Sequence, residues 1–214
     1  MTGMAGIRVV FDFGNVLFQW RPAELLKRSL PQQANDEAGA AHWVQQIFQG
    51  YGGEWGEFDR GMLEPAELAA QIAHRTGLAP AEVLGVIDAV ADELQPIEAS
   101  VQLLERLHAA GTPLHYLSNM PLPFAAHLDR SHAFMGRFAS GVYSSRVKLI
   151  KPDPAIFALA AAHFGARPGE LVFLDDHPPN VAAARAAGWQ ALQFSDAAQA
   201  ERDMRAGGWW PAGA

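Results

Sequence analysis

The sequence predicts an α/β fold, an open parallel sheet flanked by helices, with a long all-helical insertion after its first strand. Three observations carry this. The apolar run Ile7-Arg8-Val9-Val10-Phe11 ends in Asp12, and far downstream Leu171-Val172-Phe173-Leu174 ends in the acidic pair Asp175-Asp176. Short hydrophobic strands that deliver carboxylates at their C-terminal tips form a cradle for a hard cation in an open α/β sheet. Between about Pro22 and Asp92 the pattern is helical throughout, and from Ile97 onward strand-like runs alternate with helical ones. That alternation implies right-handed βαβ crossovers and parallel strands.

Taken in order, the first strand is followed by a loop from Gly14 to Phe18 and then by the helical block, broken at Pro31, at Gly50 to Gly56 and at Gly77. Within it Leu68, Ile72 and Thr76, and then Val83, Val86, Ile87 and Val90, recur at helical spacing. A helix through Val101, Leu104, Leu107 and His108 stops at Gly111, and the strand Leu114 to Leu117 leads into Ser118-Asn119. A helix from about Pro123 to Ser131 precedes a short extended piece near Gly141 to Tyr143. The next helix begins near Asp153 and ends at Gly165. After the strand Leu171 to Leu174 come a helix through Val181, Ala184, Arg185 and Ala187, stopped by Gly188, and the strand Ala191 to Phe194. The tail from Ala206, rich in Gly and Trp, is either loosely attached or docks its indoles on a neighbour.

Half of the 214 residues are hydrophobic and 18% are charged, enough for a sizeable core and against wholesale disorder. A formal charge of −7 and a pI near 5.6 repel polyanions, which argues against nucleic acid and acidic membranes as partners. A phosphorylated small molecule would need local positive charge from a metal or a placed lysine. Without cysteine there is no disulfide, zinc-thiolate site or cysteine nucleophile. Arg8 and Asp12 interrupt the first apolar stretch, so a secretory leader is not expected and a cytoplasmic location is the default. Monomer and homodimer both remain open.

Four features stand together: Asp12 in FDFGNV, Ser118 in LSN, Lys151 in KPDPAIF, and Asp175-Asp176 in FLDDHPPNVAAARAAG. In this order and approximate spacing they resemble the haloacid dehalogenase-like (HAD) hydrolase superfamily, over nearly the whole chain. The FDxGNV form of the first motif is similar to a subgroup that includes sugar-phosphate phosphatases such as an α-glucose-1-phosphate phosphatase. The resemblance implies a Rossmann-like core from residues 1–18 and 96–214 and a helical cap from 19–95. It implies that Asp12 attacks phosphorus to give an aspartyl-phosphate and also ligates Mg²⁺, with the Gly14 carbonyl and Asp176 as further ligands. Asp175 then orients a water of the ion, or stands in for Asp176 as ligand. A phosphate monoester is a dianion that repels a carboxylate nucleophile, which is why a divalent cation is needed. Lys151 offers charge to the transferring phosphoryl group, and Pro152 is expected to hold it extended. Ser118 and Asn119, after a strand, offer a hydroxyl and backbone N–H groups to phosphate oxygens. Asn180 is expected to brace the acidic loop or to cap its helix. His177 is expected to stay out of a hard magnesium site.

Position 14 departs from the family pattern, in which a second aspartate acts as general acid and base; Gly14 offers only its carbonyl. Such help is typically worth about 10² to 10⁴ in rate, so its absence selects leaving groups that need little protonation, such as the anomeric oxygen of a sugar 1-phosphate. Specificity falls to the cap, where Phe18, Trp20, Trp43, Trp55 and Phe58 are either stacking faces or core, and where Arg60, in the turn Glu57 to Gly61, can reach a substrate. The leading expectation is a Mg²⁺-dependent phosphatase for a small phosphorylated metabolite. The alternatives are a metal-independent 2-haloacid dehalogenase and a catalytically weak phosphate-ligand-binding protein.

Overall fold

Five strands form one parallel sheet in the computed structural model, which describes residues 6–211. Residues 1–5 and 212–214, the outer ends of the two expected core segments, lie outside the described residues. The strands are β1 (Arg8–Phe11), β2 (Leu114–Ser118), β3 (Ser140–Tyr143), β4 (Leu171–Asp175) and β5 (Gln190–Gln193), in the order β3-β2-β1-β4-β5. Central β1 is covered on both faces, which explains its unbroken apolar run. Val9 and Phe11 enter one buried cluster and Val10 the other, as do Val172 and Leu174 against Leu171 and Phe173 on β4. This is the period-two alternation of a strand with core on either side.

Helices α1 (Pro22–Ser29), α2 (Glu37–Phe48), α3 (Gly53–Asp59), α4 (Pro65–Thr76) and α5 (Pro80–Glu93) occupy the chain between β1 and α6 (Glu98–Ala109). Proline in the first turn starts α1, α4 and α5, where its missing N–H costs nothing. The Glu67 carboxylate accepts from Glu64 N at 3.0 Å to close the start of α4, and Gly77, at φ +80°, ends it. Leu68 and Ile72 are buried as the periodicity requires, as are Val83, Val86, Ile87 and Val90 of α5; Thr76 is half-buried and turns its hydroxyl back to Ile72 O. The expected break at Gly50 to Gly56 contains the start of α3, because burial of Trp55 and Phe58 outweighs the glycines. A Cβ at Gly56 would stand 2.7 Å from Tyr51 O, so the close approach requires glycine.

Beyond β2 follow α7 (Leu122–Ser131), α8 (Ser144–Val147), α9 (Pro154–His163), α10 (Pro178–Ala186) and α11 (Ala197–Ala206). The two helices the sequence pattern did not reveal are α8, a single turn, and α11, whose buried face is only Ala197, Ala200 and Met204. Asp196 caps α11 by accepting from Gln199 N at 2.7 Å. The indoles Trp209 and Trp210 pack half-buried against the chain's own larger core cluster, with the Arg205 guanidinium 4.5 Å from the Trp210 ring. No described helix is long and apolar enough to cross a membrane.

Candidate active site

β1 and β4 are neighbours, with Phe11 paired to Leu174, so Asp12 and Asp175 emerge at the same level of the sheet. Asp12 N donates to Leu174 O at 2.9 Å and continues that ladder. Carboxylate oxygens of Asp12, Asp175 and Asp176 lie within 4.8 Å of one another. Into this group reaches Lys151, only 3% exposed, with Nζ 2.8 Å from Asp12 Oδ1 and 2.6 Å from Asp175 Oδ2. Strand pairing therefore brings Asp12 beside Asp175 and Asp176, more than 160 positions on in the chain, and Lys151 joins them from a turn.

Each floor residue is held by others. Lys151 sits in a turn rather than extended, its bond to Pro152 is cis, and the Asn119 amide clasps its backbone. Asn119 Oδ1 accepts from Lys151 N at 2.8 Å and Nδ2 donates to Lys151 O at 2.9 Å. The Asn119 side-chain amide is thus taken up in positioning the lysine, while Asn119 and Ser118 both line the cavity; Ser118 is 1% exposed and its hydroxyl has no partner among the described residues. Asp175, fully buried, accepts from His177 N at 2.8 Å and from Asn180 Nδ2 at 3.1 Å to both oxygens, in addition to Lys151. Asn180 braces the acidic loop, and exposed His177 contributes its backbone to it. Asp176 is half-buried and receives one hydrogen bond, from Asn15 Nδ2 at 3.0 Å. Asn15 itself, in left-handed conformation at φ +54°, accepts from Trp20 N at 3.2 Å.

Burial pushes the Asp12 carboxyl up to about 7, Lys151 pulling against it and the other two aspartates adding to it. Burial also raises Asp176, opposed by the Asn15 hydrogen bond. Burial pulls Lys151 down, but Asp12 and Asp175 outweigh it and hold the ammonium firmly charged. Three carboxylates against one lysine leave an uncompensated negative charge, and the donors are all oxygen. That set fits a hard, oxygen-preferring divalent cation.

Above this floor lies a cavity of about 240 Å³. Asp12, Gly14, Ser118, Lys151 and Asp176 form its polar end, and Trp20, Trp55, Val90, Leu94, Met120 and Phe124 form an apolar wall. Trp20 Nε1 donates to Tyr51 OH at 2.7 Å across its rim. Of the aromatics considered from sequence, Trp20 and Trp55 line the cavity, Phe18 and Phe58 are core, and Trp43 packs half-buried against the core. Arg60 pairs with Glu57 at 3.5 Å and does not line the cavity; its neighbour Asp59 does. Asn15, Tyr51 and Asp59 are the site residues sequence reasoning missed. Asn15 stood inside the quoted FDFGNV motif, and Asp59 stood beside Arg60 in the turn already singled out.

Residues 8–188 match the haloacid dehalogenase-like hydrolase family, and the chain belongs to it. It is 27% identical over 203 residues to the sesquiterpene phosphatase astK of Aspergillus oryzae, spanning 92% of this chain and 93% of that protein. It is 26% identical over 155 residues to flavin mononucleotide hydrolase 1 of Arabidopsis thaliana, spanning 70% of this chain and 60% of that one. Among solved structures, the HAD family enzyme bt-2542 of Bacteroides thetaiotaomicron, in complex with magnesium and inorganic phosphate, superposes with a TM-score of 0.67 at 22% identity. That match covers 89% of this chain and 96% of the other, a likeness of fold.

Proposed function

We propose that the protein is a Mg²⁺-dependent phosphatase that hydrolyses the phosphomonoester of a small, largely apolar alcohol through phosphorylated Asp12. The observation that carries this is the convergence of Asp12, Asp175, Asp176 and Lys151 at one end of a cavity whose other wall is apolar. The phosphate belongs at the charged end and the alcohol along Trp55, Val90, Leu94 and Phe124. Similarity over nearly its full length to a sesquiterpene phosphatase supports the apolar alcohol. The phosphatase and hydrolase names of these two relatives support the reaction.

Asp12, Asp176 and the Gly14 carbonyl would hold magnesium, which would supply the positive charge that lets a carboxylate approach the phosphate dianion. Asp12 attacks phosphorus with one oxygen, and its own ester with phosphate is later cleaved by water. Lys151 balances charge building on the phosphoryl oxygens, a contact worth roughly 3 kcal/mol in a dry site. The Ser118 hydroxyl donates to a phosphoryl oxygen. Asn119 and Asp175 act through Lys151: one fixes its backbone, the other its ammonium. Asp176, with a single protein partner, has more lone pairs free for a cation than the saturated Asp175, which supports it as the ligand.

A sugar 1-phosphate is the second reading. It is favoured by Gly14, which supplies no acid, and by the indole faces of Trp20 and Trp55 in the cavity. A phosphate-release screen over prenyl, alkyl, sugar and nucleotide monoesters, with Mg²⁺ and with EDTA, separates the two. Mg²⁺-dependent release fastest from apolar alcohol phosphates is expected. Preference for sugar 1-phosphates would move the assignment to the second reading. Halide release from a 2-haloacid without metal, or tight phosphate-ligand binding without turnover, would replace the phosphatase reading altogether.

A further inference from the structure

We infer that Asp59, carried by the helical insertion, is the proton donor and acceptor of this site; the inference rests on the phosphatase reading above. Asp59 is the last residue of α3, is 4% exposed, and lines the same cavity as Asp12. No described residue gives its carboxylate a hydrogen bond or ion pair. Buried carboxyls are nearly always paired, because an unpaired one forfeits hydration without compensation. One left facing a cavity is available to whatever enters it.

Its position is fixed by the core rather than by the insertion alone. The Ser144 hydroxyl donates to Asp59 O at 2.5 Å and accepts from Met120 N at 2.9 Å, which ties α3 to the segment directly after Ser118-Asn119. Two residues on, the Lys148 ammonium donates to Gly61 O. A Cβ at Gly61, already at φ +71°, would come within 2.6 Å of Ser145 O, so the turn lies flush against α8. These contacts fix the Asp59 backbone at the edge of the cavity that the residue lines together with Asp12. Its charged neighbours are Lys151 and Asp12 on the floor, and it in turn bears on Tyr51 at the rim. Burial raises it to about 8, with Lys151 pulling down and Asp12 pushing up, so it holds its proton at neutral pH.

The step balances. The Asp12 carboxylate forms a bond to phosphorus as the ester P–O bond breaks, the departing alkoxide takes the Asp59 proton, and neutral alcohol leaves with Asp59 ionised. Asp59 then takes a proton from the water that attacks the phosphoryl group. Asp12 is released as carboxylate beside inorganic phosphate, and Asp59 is protonated again. This supplies from the insertion the acid that Gly14 lacks, and frees the substrate from needing an activated leaving group.

The test compares Asp59→Asn with the unaltered protein on an alkyl phosphate and on p-nitrophenyl phosphate, with Mg²⁺. For the alkyl ester kcat/KM is expected to fall about 10²- to 10⁴-fold. For the acidic phenol the fall stays within about tenfold, since that leaving group needs little protonation. The variant should release a burst of one nitrophenolate per chain and then slow, with phosphate retained on the protein by intact mass and none retained in Asp12→Asn. The unaltered protein should show a shallow dependence of kcat/KM on leaving-group pKa, a measurement that does not require the variant to fold. Equal losses on both esters, no loss on either, or a steep dependence in the unaltered protein would overturn the inference alone. Absence of any phosphomonoester hydrolysis by the unaltered protein would overturn the phosphatase reading with it.

Discussion

At the tips of β1 and β4 the side chains hold one another: Lys151 lies between two carboxylates, Asp175 receives Lys151, Asn180 and the His177 backbone, and Asp176 receives Asn15. Across the same cavity the insertion presents Trp55, Val90 and Leu94, packed by shape alone, with rings meeting at edges such as Trp55 on Phe48 at 4.5 Å. A charged network transmits the loss of any member to the rest, because an orphaned buried charge costs far more than the contact removed. An apolar wall loses area locally. On the proposed function, chemistry and specificity would sit on separately alterable surfaces, with Asp59 a buried carboxyl on the otherwise largely apolar side.

The contrast can be broken most sharply on the floor. Asp12→Asn is expected to lower phosphate release by about 10⁴-fold or more, the scale of losing a nucleophile. Full activity in that variant would refute the covalent route. Lys151→Met leaves Asp12 and Asp175 without their counter-charge, and a urea titration should show destabilisation of about 3 to 5 kcal/mol alongside the loss of turnover. Unchanged stability would mean the network is not coupled as described.

Smaller effects sharpen the same boundary. Asn119→Ala, which frees the Lys151 backbone, should reduce kcat about 10- to 100-fold with KM nearly constant, as loss of a supporting contact does. On the wall, Leu94→Ala should instead raise KM for an apolar alcohol phosphate about tenfold and leave kcat in place. A drop in kcat with unchanged KM would place Leu94 with the chemistry.

The smallest expected effect is on stability against pH. Burial lifts Asp12 to about 7 and Asp59 to about 8, both above the ordinary 3.8. The native state therefore holds protons that the unfolded chain has released. This contribution is complete below pH about 4, erodes as pH rises, and is lost above about 8. Metal-free protein should melt several degrees lower at pH 9 than at pH 6, and Asp59→Asn, neutral throughout, should flatten that slope. An identical slope in the variant would mean that Asp59 is ionised in the native state.

Much of the floor was legible because its signals are local. A buried strand writes an unbroken apolar run, and the residue after it is placed by the strand end, so Asp12, Ser118 and Asp175-Asp176 could be located before any contact was known. The order of motifs then carried the family. Asn119 was less legible, since nothing local says that a residue after a strand also clasps a distant backbone, and only the approach of Lys151 gave its side-chain amide that partner. The break expected at Gly50 to Gly56 was half right, because local glycine propensity competed with the burial of Trp55 and Phe58. Helix α11 was missed because alanine buries too little surface to leave a pattern.

By itself the chain determined the sheet, the inserted helices and the acidic tips, because hydrophobic periodicity and strand termination act over a few residues. Only the tertiary structure decided that Asp59 rather than Arg60 turns into the cavity, that Asn15 steadies Asp176, and that the wall is apolar. Those outcomes depend on how the insertion seats against α8 and the strand tips. That fit is a matter of close packing between segments distant in sequence, and no local pattern encodes it.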